Sequence, residues 1–232
     1  MEFNELLPIS AISEERRITF FRKTYAHLAI AVLLFAMVEY VFFQVPSILE
    51  FAMSMTQGWR WMMLLVGFMF ITNYAENTAL KSHNRNEQYG ALLLYVIAEA
   101  FIFIPLIGMA MLITAESGQN ILYQAAIITL SLFTGISAVA LLSKKDFSFM
   151  RSILSIGFFV GLGMMIAGMI FGFNLGLWFS VGMAVLAAGS ILYQTSNMVH
   201  RYSEDQYVGA SLGLFASLML LFWYILNILS RD

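Results

Sequence analysis

Between Tyr207 and Leu229 the chain reads YVGASLGLFASLMLLFWYILNIL, without one charged residue. An α-helix rises about 1.5 Å per residue and the hydrocarbon core of a bilayer is about 30 Å thick, so about 20 apolar residues cross it. The stretch therefore predicts a transmembrane helix. Six earlier stretches have the same character: residues 25–44, 59–74, 89–113, 121–143, 153–173 and 177–199. We accordingly expect an all-α polytopic membrane protein with seven spans.

The composition of the whole chain indicates the same class of protein. Of its 232 residues, 60% are hydrophobic and only 11% are charged, whereas soluble domains carry about 25% charged residues. The net charge of −2 gives no basic field that would attract nucleic acid. Because the chain has no cysteine, disulfides, thiolate catalysis and cysteine-bound metals are excluded. We expect a lipid bilayer as the main partner, and no cofactor.

Lysine and arginine are retained on the cytoplasmic side of a membrane, so their distribution predicts the orientation. If the N-terminus is cytoplasmic, only Arg60 and Arg231 fall on the far side. The other bases then all fall on the cytoplasmic side: Arg16, Arg17, Arg22, Lys23, Lys81, Arg85, Lys144, Lys145, Arg151 and Arg201. We therefore predict a cytoplasmic N-terminus and an outer C-terminus, with a short soluble arm at residues 1–22 and one membrane domain at residues 23–232.

Two carboxylates lie within predicted spans, where an ionisable group is costly unless it meets a partner or water. Glu39 lies in the outer half of the first span, and Arg60 is the only base near that depth, so the two are candidates for an outer-leaflet ion pair. Glu99 lies near the middle of the third span, ahead of Pro105, which removes a backbone hydrogen bond and can open the helix. Glu99 is therefore a candidate for lining a cavity. The alternatives are a snorkelling Glu39 and a neutral Glu99 that is hydrogen-bonded to a neighbouring helix.

Small residues recur in the fifth and sixth spans, where they let another backbone approach closely. The glycines and alanines concerned are Gly157, Gly161, Gly163, Gly168 and Gly172, followed by Gly182, Ala184, Ala187, Ala188 and Gly189. No basic group accompanies these glycines, so they predict helix packing rather than phosphate binding. The packing can be within one bundle or between chains.

The chain shows no enzyme active site. The residues GASLG at 209–213 fit the pattern of serine hydrolases, but that chemistry needs a strand-to-helix turn and a histidine oriented by an acid. No lysine lies inside a span, as a retinal Schiff base would need, and no aspartate does, as an intramembrane aspartyl protease would need. The three histidines are scattered without metal-ligand spacing. We therefore expect neither catalysis nor a metal site.

Three segments of the chain resemble the Bax-inhibitor/YccA-like family. The residues LYQTSNMVH at 192–200, with SEDQYV at 203–208 and ASLGLF at 210–215, are similar to that family's signature between its sixth and seventh helices. The residues KKDFSF at 144–149 are similar to the connection before its fifth helix, and the segment of the third span that ends in Pro105 is also similar. The resemblance implies a seven-helix bundle with helix seven at its centre, no enzymatic chemistry, and roles in ion homeostasis and stress tolerance.

The same resemblance implies two kinds of bacterial relative. One kind comprises calcium leaks, in which an aspartate from each of the last two helices shares a proton and closes the pore. The other is the YccA branch, which associates with an FtsH-type membrane AAA protease. The positions that match the two aspartates are Gln194 and Ser217. Because glutamine and serine do not titrate in this range, we expect no such pH latch, and the signature is closer to the YccA branch.

Three functions remain open from the sequence. The first is a passive path for cations, for which the resemblance implies calcium, with these candidates for lining it: Gln194, Ser217, Asn197 and Glu99. The second is a regulatory partner of an FtsH-type protease, which needs no pore. The third is a proton-coupled transporter using Glu99, for which we find no inverted repeat. The resemblance implies a bacterial inner membrane, although an organellar membrane would leave the same pattern.

Overall fold

The computed structural model describes residues 8–143 and 145–231, and within these it contains helices and no strand. The helices are α1 (Glu14–Gln44), α2 (Pro46–Ser54), α3 (Trp59–Lys81), α4 (Arg85–Ser117), α5 (Ile121–Leu142), α6 (Met150–Phe171), α7 (Gly176–His200) and α8 (Tyr207–Leu229). Two short 3₁₀ turns, Ile9–Ala11 and Glu204–Gln206, complete the described structure.

Seven of these helices correspond to the seven predicted spans, although α5 and α6 end at Leu142 and Phe171, slightly before the predicted ends at 143 and 173. Helix α2 is an additional short helix between the first two. Pro46 starts α2 in the first turn, where the missing N–H of proline costs nothing. Helix α1 begins at Glu14, so part of the predicted soluble arm is helical and continuous with the first span. Helix α4 continues through Pro105 to Ser117.

Among the described residues, six helices are long and apolar enough to cross a membrane: α1, α4, α5, α6, α7 and α8. The all-α polytopic membrane fold is thereby confirmed. Helix α3 is of sufficient length, but its second half carries Thr72, Asn73, Glu76 and Asn77, which lower its apolar character. A seventh span and the orientation of the bundle stay predictions.

Helix α8 lies at the centre of the bundle, as predicted for the last helix. It packs against α1, α3, α4, α5 and α7, and most of its side chains are buried. Phe215 of α8 contacts Phe35 of α1 and Tyr95 of α4 in edge-on arrangements. Helix α6, in contrast, lies at the periphery with only Gly161 fully buried, and its main neighbour is α7.

The glycines of α6 serve packing within the bundle. A Cβ added at Gly157 would lie 2.6 Å from Leu186 Cδ2, and one at Gly161 would lie 2.8 Å from Met183 Sδ, both on α7. In return, Gly189 of α7 lies against Met150 of α6. These three glycines therefore let α6 and α7 approach closely.

The connection between α7 and α8 ties several elements together at one end of the bundle. The backbone N–H of Ile9 donates to the Tyr202 carbonyl (3.0 Å), and Arg16 Nε donates to Glu204 Oε2 (2.7 Å). Arg85 of α4 donates a hydrogen bond to the Asp205 carbonyl of this connection. Gln206 of the connection donates one to the Leu80 carbonyl of α3. This end holds the N-terminal arm and the α3–α4, α5–α6 and α7–α8 connections. We refer to it as the basic end, because most lysines and arginines of the chain lie in or next to these segments.

Candidate functional site

A polar cleft of about 790 Å³ opens at the basic end, between α3, α6, α7 and α8. Its apolar lining includes Leu80, Phe158, Met183 and Leu220. Its polar lining comprises Asn73, Glu76, Arg151, Ser155, Ser190, Tyr193, Gln194, Asn197, Arg201 and Tyr202. Neutral oxygen and nitrogen groups thus outnumber charged groups in the cleft, and the two arginines lie close to the connections at its rim.

Helical periodicity brings these side chains to the cleft. Positions three, four and seven apart share one helix face, which places Asn73, Glu76 and Leu80 of α3 on one wall. The facing wall comes from α7, where Ser190, Gln194 and Asn197 follow the same spacing. The site is therefore built on two rigid helices rather than on loops.

Gln194 is held between α8 and the α7–α8 connection. A Cβ added at Gly213 of α8 would lie 3.0 Å from Gln194 Oε1, so the absence of a side chain at Gly213 makes room for the amide. The Tyr202 hydroxyl donates to the same oxygen at 3.4 Å. The predicted residue Gln194 therefore lines the cleft, and its amide oxygen lies beside Gly213 and the Tyr202 hydroxyl.

Ser217 lies directly behind the cleft rather than on its surface. Its hydroxyl is buried and donates to the Gly213 carbonyl (3.0 Å), and it lies 2.8 Å from the Ser190 hydroxyl, which lines the cleft. Because the Ser217 proton is used on Gly213, Ser190 donates to Ser217. Ser217 thus lies one layer behind Gln194 and Ser190, which line the cleft.

Asn197 is buried at the cleft, and its Oδ1 has no hydrogen-bond partner within the described part of the chain. A buried acceptor without a partner is costly and is commonly met by water or an ion. Asn197 therefore offers an unused oxygen at this position.

Glu76 is a cleft residue that the sequence interpretation missed. It is half-buried and is the one carboxylate among the described lining residues. The second predicted span ended at residue 74, which left Glu76 outside the membrane helix. The spacing of Asn73, Glu76 and Leu80 was the available signal, since it continues one helix face to the end of α3.

The structure does not bring Glu99 or Glu39 to the cleft. Glu99 is 7% exposed on α4, and its Oε2 has no hydrogen-bond partner among the described residues. Glu39 is 5% exposed, and within the same residues neither of its carboxylate oxygens has a partner. Arg60 is exposed at the start of α3, and the two ion pairs formed by the described side chains do not involve it. The proposed Glu39–Arg60 pair is thus not made in this structure.

The residues of the G-x-S-x-G pattern pack inside α8. The Ser211 hydroxyl is fully buried and donates to the Val208 carbonyl (2.7 Å) within the same helix. Gly209 lies against Ala79 and Leu80 of α3. The pattern therefore marks points where α8 approaches its neighbours closely, with Ser211 engaged in an internal hydrogen bond.

The α5–α6 connection helps to position the rim of the cleft. The Phe147 N–H donates to Ser196 Oγ of α7 (2.9 Å), and Arg201 Nε donates to Ser148 Oγ (3.2 Å). Asp146 accepts hydrogen bonds from the hydroxyl and the backbone N–H of Ser148, which lower its pKa below the ordinary value of 3.8. The charges of His200 and Arg201 lower this pKa further. An ionised Asp146 thus organises the connection that holds Arg201.

No group of three or more histidine, aspartate or glutamate side chains is close enough to hold a metal ion within residues 8–143 and 145–231. One carboxylate with amide and hydroxyl oxygens makes at most a weak cation site, because calcium affinity rises with the number of charged ligands. The cleft is therefore suited to transient contact with a cation rather than to tight binding.

Comparison with known proteins gives a consistent assignment. The family model described as "Inhibitor of apoptosis-promoting Bax1" matches residues 17–232. The chain is 28% identical to protein lifeguard 4 of Mus musculus, over 98% of this chain and 91% of that protein. It is 27% identical to Bax inhibitor 1 of Schizosaccharomyces pombe, over 98% and 82%. It is also 27% identical to the uncharacterized protein PA2604 of Pseudomonas aeruginosa, over 94% and 92%.

Proposed function

Because the chain belongs to the Bax inhibitor family and holds a polar cleft at the basic end of its bundle, we propose that it forms a passive path for cations, with calcium as the ion carried. The observation that carries this proposal is the convergence of Glu76, Gln194 and Asn197 on one cleft. Carboxylate and amide oxygens, such as these three side chains offer, are among the ligands that calcium prefers. An ion that passes must also leave, so a weakly binding set suits a leak.

Two further polar positions in the bundle belong to the proposed path. Ser190 and Ser217 adjoin the cleft, since their hydroxyls are hydrogen-bonded to each other and Ser217 belongs to the central helix. Glu99 does not line the cleft, and it enters the proposal as a separate buried carboxylate, one oxygen of which has no partner among the described residues. Because residues 194 and 217 do not titrate, this path lacks the coupled aspartate pair that gives a steep pH switch.

The membrane and the orientation are part of the same proposal. We place the protein in a bacterial inner membrane with its basic end in the cytoplasm, since bases are retained on that side. Since the chain has no cysteine, single cysteines report orientation cleanly. Lys145→Cys should be protected from a membrane-impermeant thiol reagent added outside the cell, and Gln119→Cys should react. The reverse pattern would overturn the orientation.

The first experiment measures calcium flux into dye-loaded liposomes that contain the purified protein, at several pH values. The variants are Glu76→Gln and Glu99→Gln, and the control is Glu15→Gln, an exposed carboxylate of the arm outside the cleft. We expect flux from the unmodified protein, a severalfold lower flux from each test variant, and no change from the control. Flux that is equal in all four proteins would refute the assignment of the path.

A second candidate is a regulatory partner of an FtsH-type membrane AAA protease. It is favoured by the neutral residues Gln194 and Ser217, which set this chain apart from proton-gated leaks. In these positions the chain looks closer to the YccA branch. In this case liposomes show no flux above empty vesicles at any pH, and the protein co-purifies with the protease from membranes of its own source.

A further inference from the structure

A second polar cluster lies at the basic end, formed by α1, α4 and α8. It consists of Lys23 and His27 from α1, Arg85 and Tyr89 from α4, and Tyr207 from α8, and we refer to it as the tyrosine–cation cluster. The cleft described above takes none of its described lining residues from α1 or α4. The tyrosine–cation cluster is therefore a separate feature on another part of the bundle.

Tyr207 is the centre of this cluster. Arg85 Cζ lies 4.4 Å from the centroid of its ring, and Lys23 Nζ lies 5.2 Å from the same centroid. The His27 ring lies 5.0 Å from Tyr207 and stacks on Tyr89 at 5.6 Å with an angle of 2° between the planes. Aromatic faces attract cations, so the ring of Tyr207 holds two permanent positive charges close together.

The positive charge of the cluster is only partly balanced. Asp205 lies 3.6 Å from Arg85, but its side chain is 79% exposed, so solvent screens this pair. Neither of the ion pairs found in the described residues includes Lys23. Arg22 is exposed beside it and adds a further positive charge. The cluster therefore carries a net positive charge.

Hydrogen-bond donors of the cluster are also left over. The Tyr89 and Tyr207 hydroxyls lie 3.3 Å apart, so one donates to the other, and the second phenol proton has no acceptor within the described part of the chain. The ammonium of Lys23 supplies further donors. His27 Nδ1 lies 2.7 Å from the Lys23 carbonyl and donates to it, which fixes the ring orientation. A phosphate oxygen placed against Lys23 and the tyrosines would meet charge and donors together.

Exposed apolar side chains continue from the cluster along both helices. Ile30 follows Lys23 and His27 on one face of α1, and Leu93 follows Tyr89 on one face of α4, and both are exposed. A ligand that fits both parts needs a negative headgroup and a hydrocarbon chain. Basic pockets between helices at the cytoplasmic surface bind such lipids. We propose that the tyrosine–cation cluster binds the headgroup phosphate of an anionic phospholipid, whose acyl chains lie against α1 and α4.

The test is native mass spectrometry of the purified protein after incubation with an equimolar mixture of phosphatidylglycerol and phosphatidylcholine. We expect the protein to retain phosphatidylglycerol in preference to phosphatidylcholine. Lys23→Gln should lower the retained phosphatidylglycerol about fivefold, the effect expected for one basic residue at an anionic surface. Lys145→Gln is the matched control, because Lys145 is exposed at the same end but outside the cluster. Circular dichroism checks that both variants are folded.

Three results would overturn the proposal. Equal retention of the two lipids by the unmodified protein would show that the headgroup charge is not recognised. An equal loss in Lys23→Gln and Lys145→Gln would show that only the net charge of this end matters. Displacement of the lipid by inorganic phosphate at the same concentration would show that the site takes free phosphate and makes no use of the acyl chains.

Discussion

The contact between α8 and α3 at Gly209 yields a quantitative prediction. A Cβ at this position would lie 2.5 Å from Leu80 Cδ2 and 3.0 Å from the Ala79 carbonyl oxygen. The first distance is about 1 Å shorter than the optimal separation of two carbon atoms. Leu80 can move aside, but the Ala79 oxygen belongs to the backbone of a helix. We therefore expect Gly209→Ala to overpack this contact, at a cost of about 1–3 kcal/mol.

Gly90 of α4 is the matched control, since it also lies near the start of a helix at the basic end and nothing lies within 4 Å of an added Cβ. Alanine in place of glycine favours a helix by about 1 kcal/mol, and both variants receive this gain. The difference between the two variants thus isolates the packing cost. We expect Gly209→Ala to be less stable than Gly90→Ala by about 2 kcal/mol.

The assay is unfolding of the purified protein in detergent by titration with sodium dodecyl sulfate, followed by tryptophan fluorescence. A second substitution, Leu80→Ala, should recover part of the loss in Gly209→Ala, because it removes the side chain that the new methyl meets. If Gly209→Ala and Gly90→Ala unfold at the same detergent concentration, the close approach of α8 and α3 is refuted.

Three further predictions concern the basic end. Arg16→Glu should lower the free energy of unfolding by about 0.5–1 kcal/mol, a small effect because the Arg16–Glu204 pair is largely exposed. Adding Glu204→Arg should restore the stability, and failure of this double variant would contradict the pairing. Ile9→Asp should free the arm, because Ile9 is fully buried, and should speed proteolytic cleavage there relative to Ile9→Val. The hydrogen bonds that lower the pKa of Asp146 below 3.8 stabilise the folded protein above that pH. This contribution is lost as the pH falls through the lowered pKa of the folded protein. Asp146→Asn should therefore flatten the acidic end of a plot of unfolding midpoint against pH, whereas an unchanged profile would exclude its role.

The helical fold could be predicted because hydrocarbon enforces it. Backbone groups in lipid must be hydrogen-bonded within the segment, so a long apolar stretch has to form a helix. The stretch of Tyr207–Leu229 has the same bounds in the structure as in the prediction. Helix α2 was missed because its apolar run is too short to signal a span. The predicted second span ended before α3 does, because the polar residues in the second half of α3 interrupt the apolar stretch.

The site could be predicted only in part, because the sequence does not show which faces meet. Gln194 and Asn197 were found from the family signature, and both line the cleft. Glu76 was missed since the residues that share its cleft come largely from α6 and α7, far along the chain. Glu39 was expected to meet Arg60 at a shared depth, but depth does not determine the direction in which a side chain points.

The docked N-terminal arm has a consequence for the order in which the protein is made. Arg16 meets Glu204, which lies 188 residues further along the chain. The ribosome must therefore complete seven of the eight helices before the contacts of the arm with the α7–α8 connection can form. In any product truncated before Tyr202, the Ile9 N–H lacks its Tyr202 acceptor and Arg16 lacks Glu204. A fully docked arm thus indicates that synthesis has passed the connection that follows α7.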